Sequence, residues 1–164
     1  RGLINPMHIG TNSKKLDISQ EKKTKELSER FSKLLNKGDI VFLFGEIGTG
    51  KTTFIKYLIN HLQKKSNEEI TEIPSPTFNI LHEYKVKDLK ILHYDLYRVK
   101  DENELENLGQ ILDQENALTF VEWPDLLKNN TSNLISLIFK YEDNLNKRSL
   151  IISSENNKIN DEFK

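Results

Sequence analysis

Residues 45–54 read GEIGTGKTTF, and the run from Gly45 to Thr52 fits the spacing G-x-x-x-x-G-K-[ST]. In such a loop the glycines let consecutive backbone amides turn inward toward phosphate oxygens. Nucleotide contacts are expected along Glu46, Ile47, Gly48, Thr49, Gly50, Lys51, Thr52 and Thr53. Lys51 would reach the β- and γ-phosphates, and the Thr52 hydroxyl would ligate Mg²⁺. A helix starting at the lysine would add its positive N-terminal end.

A phosphate loop (P-loop) needs a carboxylate at the end of a neighbouring strand to hold Mg²⁺ or its water. Glu122 ends the apolar run LTFVE, and Asp95 ends KILHYD. Both are candidates for catalysis and for the metal, alongside Lys51 and Thr52. Either acid could instead cap the loop after its strand, and their division of roles stays open here. Thr77, in SPTF between the expected phosphate helix and the acidic strand, stands where a switch residue would sense a γ-phosphate. Arg98 could place a charge on that phosphate or form a surface ion pair. Trp123 could stack on a base or a partner, although a lone tryptophan is more often a core residue. His82 and His93 read as strand residues without metal-ligand spacing.

The nucleotide is read as ATP. NKGD (Asn36 to Asp39) matches a guanine-reading pattern, but it precedes the phosphate loop instead of following a later strand, and no D-x-x-G segment follows the loop. A small-molecule kinase would normally carry an arginine-rich lid, whereas Arg1, Arg30, Arg98 and Arg148 are scattered. A nucleotide-dependent binding module without turnover is the third class. Phosphorylated product, free phosphate, or neither would separate the three.

Composition narrows the partners. Lys and Arg number 24 against 25 Asp and Glu, for a net charge of −1, so no basic excess drives tight nucleic-acid binding by this chain alone. Without cysteine, disulfides, thiolate metal sites and cysteine nucleophiles are excluded. No apolar run approaches the roughly 20 residues of a membrane span, and a cytoplasmic protein is expected.

The elements that must position these residues follow from hydrophobic period. Ser19 to Gly38 reads as a helix capped by Ser19, with Leu27, Phe31, Leu34 and Leu35 on one face and Gly38 as its stop. DIVFLF reads as a strand buried on both faces. Phe54, Ile55, Leu58, Ile59 and Leu62 recur at helical spacing, so a helix is expected from Lys51 to about Lys64. FNILHEYK and LKILHYDLY form two strands with a turn near Asp88, followed by a short acidic helix capped by Asp101. ALTFVEW is a further strand, and NLISLIFKYE with RSLIIS forms a closing hairpin. The fold class is α/β of P-loop NTPase type, a mostly parallel central sheet flanked by helices with antiparallel additions. Residues 1–12 are expected to be an added or disordered segment, 13–154 the ATPase domain, and 155–164 a solvated tail.

Taken together, GEIGTGKTTF, SPTF followed by EY, HYDLYR, ENELENLG and VEWPD resemble the bacterial TsaE (YjeE-type) ATPases in order and approximate spacing. The resemblance runs from about Leu16 to Trp123; beyond Asp125 only the strand pattern supports it. It implies Mg²⁺-dependent ATP hydrolysis in the formation of N6-threonylcarbamoyladenosine beside the anticodon of tRNAs. The implied partners are TsaD and TsaB, with tRNA met only through them and no membrane involved. It also implies Asp95 and Glu122 at the Mg²⁺ and water site, and Thr77 near the γ-phosphate in a switch segment. Ile47 departs conservatively from the leucine expected there.

Overall fold

A computed structural model describes residues 10–74, 79–128 and 133–164. The chain runs through β1 (Thr11–Asn12), β2 (Leu16–Asp17), α1 (Glu21–Ser32), β3 (Ile40–Phe44) and α2 (Lys51–Lys65). It continues through β4 (Leu81–Val86), β5 (Leu89–Asp95), α3 (Glu102–Glu106) and β6 (Ala117–Glu122). It closes with β7 (Leu134–Tyr141), β8 (Arg148–Ser154) and α4 (Asn157–Glu162).

All strands join one sheet of order β1-β8-β7-β3-β6-β5-β4, with β2 also pairing β8. Its centre, β7-β3-β6-β5, is parallel, and antiparallel pairs are added at both edges. The central strands are apolar at nearly every position because both faces are covered. Alternation along β3 shows this: Val41 and Leu43 point into one core, Ile40 and Phe42 into the other. The first core is roofed by Leu27 and Phe31 of α1 and by Phe54, Ile55, Leu58 and Ile59 of α2. Tilted and edge-on contacts of Phe54 with Phe31 (5.7 Å) and Phe139 (5.8 Å) tie those helices to β7. The second core is closed mainly by the segments around α3, through Leu96, Val99 and Ile111.

The P-loop-type α/β architecture expected from sequence is present, as is the two-residue turn Lys87–Asp88, where Lys87 takes φ +52°. Asp101 caps α3 by accepting the Glu104 amide at 2.9 Å. Three local expectations are corrected. Gln20, not Ser19, occupies the cap position of α1; the Ser19 hydroxyl instead accepts the Arg148 amide at 3.0 Å, bonding to the sheet. The helix also ends well before Gly38, through tightened i→i−3 bonds from Leu34 to Phe31 and Leu35 to Ser32. Gly38, at φ +90°, instead leads into β3 and donates its amide to Ala117.

The third correction concerns the ends. Asn156 caps α4, and Ile159 and Phe163 are each about 1 % exposed, so residues 155–164 are not a solvated tail. Phe163 packs 6.4 Å from the Phe31 ring, and Arg30 lies over its face at 4.9 Å. At the other end, residues 11 and 12 pair with Ser154 and Ser153, so that part of the 1–12 segment belongs to the sheet. Residues 1–9 lie outside the described residues. Among those described, no helix is long and apolar enough to cross a membrane.

Candidate functional site

Because β3, β6 and β5 are parallel neighbours, their C-terminal ends lie along one sheet edge. The edge carries Gly45 after β3, Asp95 at the end of β5 and Glu122 at the end of β6. Open parallel sheets bind ligands in the crevice at this edge. A cavity of about 440 Å³ opens there, lined by Ile47, Gly48, Gly50, Lys51, Thr52 and Thr53 from the loop and α2, and by Asp95 and Glu122 opposite. Of the residues expected at a nucleotide, Thr49 is buried beneath the loop and Glu46 is exposed. The Thr49 hydroxyl donates to the Glu46 carbonyl at 2.7 Å, so this pair shapes the turn. Thr77 lies outside the described residues.

Two glycines of the loop take conformations that disfavour side chains, and at Gly45 the backbone itself leaves no room for one. Gly45 has φ +148°, and a Cβ there would stand 2.7 Å from the Phe139 carbonyl oxygen. Gly48 has φ +83°, and its Cβ would meet the Tyr141 hydroxyl at 2.6 Å. The Tyr141 hydroxyl itself donates to the Ile47 carbonyl at 3.1 Å. Arg148 adds a second brace, one guanidinium nitrogen 3.4 Å from the Gly48 carbonyl and another 3.4 Å from that of Ser19.

Lys51 is only 5 % exposed and donates its amine to the Gly45 carbonyl. The same amine sits 4.0 Å from the centre of the Trp123 ring. Burial holds its pKa below the usual lysine value, and the Glu122 and Asp95 carboxylates oppose that shift. Trp123 is therefore neither an ordinary core residue nor free of the site. It takes φ +57°, an uncommon conformation for a bulky residue, and its ring packs 4.8 Å from that of Tyr97.

The two acids differ in their surroundings. Glu122 is 3 % exposed; the Thr52 hydroxyl lies 3.1 Å from each of its oxygens, and His93 Nε2 lies 2.6 Å from Oε2. Asp95 is half-buried and accepts the Tyr97 amide at 3.0 Å. Burial raises its pKa above the ordinary aspartate value, against the lowering effect of the Tyr97 amide; Glu122 adds to the rise, while His93 and Lys51 oppose it.

Arg98 lines the cavity as an exposed side chain, together with Asn79, Ile80, Tyr97 and Arg148. Sequence reasoning singled out none of the last four. Arg148 carries no local signal, since its role comes from β8 lying near the loop. His93 had one: it stands two residues before Asp95, on the same face of the strand.

A loop that admits only glycine at Gly45 and holds Gly48 in a left-handed conformation, with a cationic Lys51 beside it and the first turn of α2, makes a cradle for anionic oxygens. The Thr52 hydroxyl, with its proton toward Glu122, can offer lone pairs to a hard cation.

The family model described as threonylcarbamoyl adenosine biosynthesis protein TsaE matches residues 18–150. The tRNA threonylcarbamoyladenosine biosynthesis protein TsaE of Rickettsia typhi is 39 % identical over 140 residues, covering 85 % of this chain and 94 % of that protein. The protein of the same name from Borreliella burgdorferi is 36 % identical over 129 residues, covering 76 % and 90 %. That of Aquifex aeolicus is 34 % identical over 112 residues, covering 68 % and 77 %. The crystal structure of Bacillus subtilis YdiB superposes with a TM-score of 0.66 over 93 % of this chain and 91 % of that one; at 24 % identity this speaks for the fold alone. The family match and the extended identity together show that the chain belongs to the TsaE family.

Proposed function

We propose that this chain is a Mg²⁺-dependent ATPase that supports the formation of N6-threonylcarbamoyladenosine beside the anticodon of tRNAs. The names of its relatives motivate the pathway. One observation carries the chemistry: Lys51, Thr52, Asp95 and Glu122 line a single cavity at the mouth of a phosphate loop.

The residues fit a magnesium nucleotide. Loop amides from Glu46 to Thr53 and the N-terminus of α2 receive the phosphates. Lys51 exchanges the Gly45 carbonyl for phosphate oxygens, a charge-assisted contact worth about 1.5–3 kcal/mol. Thr52 would hold the metal through its oxygen while its O–H donates to Glu122. A Mg²⁺ ion held there would supply positive charge to offset the negative charge developing on the phosphates. Asp95, whose carboxyl is raised by burial, orients and deprotonates the attacking water, a task suited to a base with an elevated pKa. Thr77 is the γ-phosphate-sensing switch residue in this reading.

TsaD and TsaB are the proposed partners, in the cytoplasm, and they hold the tRNA. A chain of net charge −1 then needs no RNA-binding face of its own. The deciding experiment measures phosphate released from Mg²⁺·ATP by the purified chain, alone and with TsaD–TsaB. Turnover that rises with the partners is expected. A phosphorylated small molecule keeping pace with ADP would instead make the chain a kinase, and nucleotide binding without turnover under either condition would make it a binding module.

A further inference from the structure

His93 is fully buried in β5, yet it is used on one side only. Its Nε2 lies 2.6 Å from Glu122 Oε2, while Nδ1 has no hydrogen-bond partner among the described residues. Leaving a polar ring atom buried and unpartnered costs stability, and an apolar side chain would avoid that cost. The contact with Glu122 therefore needs a reason beyond packing.

The geometry beyond Glu122 supplies one. Three side chains from three elements form a single hydrogen-bonded chain: His93 on β5, Glu122 on β6 and Thr52 on α2. The terminal torsion of a glutamate is broad, so an untethered carboxylate turns easily. The Lys51 ammonium attracts Glu122 and competes for it. A carboxylate drawn to Lys51 would release the Thr52 hydroxyl proton to point elsewhere.

We propose that His93 is a positioning residue: by donating from Nε2 it locks the Glu122 carboxylate, so that Thr52 keeps its proton on Glu122 and turns its lone pairs to a divalent cation. This rests on the proposed role of Thr52 and Glu122 at the metal. Outer partners of this kind commonly set the affinity of a metal site.

The test uses the full chain as wild type, His93→Gln and His93→Leu. Binding of methylanthraniloyl-ADP is followed by fluorescence in EDTA and across a Mg²⁺ titration. Gln can present an amide N–H near the position of Nε2; Leu cannot. In EDTA the three proteins are expected to bind the nucleotide alike. His93→Leu should raise the Mg²⁺ midpoint by about 10–100-fold, and His93→Gln should recover most of it. Should the Leu variant not fold, His93→Asn, too short to reach Glu122, takes its place.

An unshifted midpoint in the non-donating variant overturns the proposal. So does an equal shift in the Gln and non-donating variants, or a loss as large in EDTA as in Mg²⁺. Wild-type binding that ignores Mg²⁺ altogether is a different failure, because it removes the metal reading of the site before any variant is compared.

Discussion

Asp95 and Glu122 are register partners on adjacent parallel strands, at the same sheet edge, yet they occupy different chemical worlds. Glu122 is almost wholly enclosed, and its burial is offset by a hydroxyl and an imidazole. Asp95 sits at the cavity wall with a backbone amide two residues on, and burial raises its pKa. The difference teaches how one edge can host both a fixed carboxylate and a proton acceptor. In the proposed function the acid with side-chain partners holds geometry, and the acid made more basic by desolvation moves the proton.

The sharpest way to break this contrast is to remove the basicity of Asp95 while keeping its shape. Asp95→Asn should lower phosphate release by about 10²–10⁴-fold with nucleotide affinity in Mg²⁺ retained. Steady-state release measured beside a methylanthraniloyl-ADP titration checks both halves. Full turnover in Asp95→Asn, with turnover lost in Glu122→Gln, would exchange the two roles.

Lys51 feels both acids, so it tests the site they share. Lys51→Ala should weaken nucleotide binding by about 10–100-fold, the loss of one charge-assisted contact. Wild-type affinity retained by Lys51→Ala, in Mg²⁺ and in EDTA alike, would place the phosphates elsewhere.

Stability should divide the acids by sign. Glu122→Ala leaves a buried imidazole and the Thr52 hydroxyl without their partner, and should cost about 1–3 kcal/mol in a denaturant titration. Asp95→Asn should instead raise the thermal midpoint by a few degrees at pH 7. A carboxyl whose folded pKa is raised binds protons more readily in the folded state than in the unfolded one. Its penalty therefore grows as pH rises from the unfolded value near 3.8 through the raised one, and is fully present above it. The gain from Asp95→Asn should shrink as pH falls toward 3.8. A gain that is flat with pH would remove desolvation as the source of the difference.

The smallest effect concerns the far side of the loop. Tyr141→Phe deletes the hydroxyl that donates to Ile47 and should cost about 1 kcal/mol or less in stability. Its effect on nucleotide affinity should be smaller than that of Lys51→Ala.

Much of this was legible in one dimension. Strands β3 and β6 are near-continuous apolar runs, α2 repeats its apolar residues at helical period, and the loop between strand and helix carries its own spacing. Those signals are local, because backbone geometry makes neighbours of residues two, three or four apart. The solvated tail was a wrong expectation for the complementary reason: Ile159 and Phe163 are too few to form a periodic pattern, and their burial depends on Phe31, more than 120 residues earlier.

What the sequence by itself determined was the phosphate loop, the helix behind it and two acids at strand ends. Only the tertiary structure decided which acid meets Thr52, that His93 stands behind it, and that Tyr141 and Arg148 brace the loop. The physical reason is that the first set is written in spacings along the chain. The second depends on strand order and register, which place β5, β6 and the β7–β8 hairpin around a loop from which they are distant in sequence.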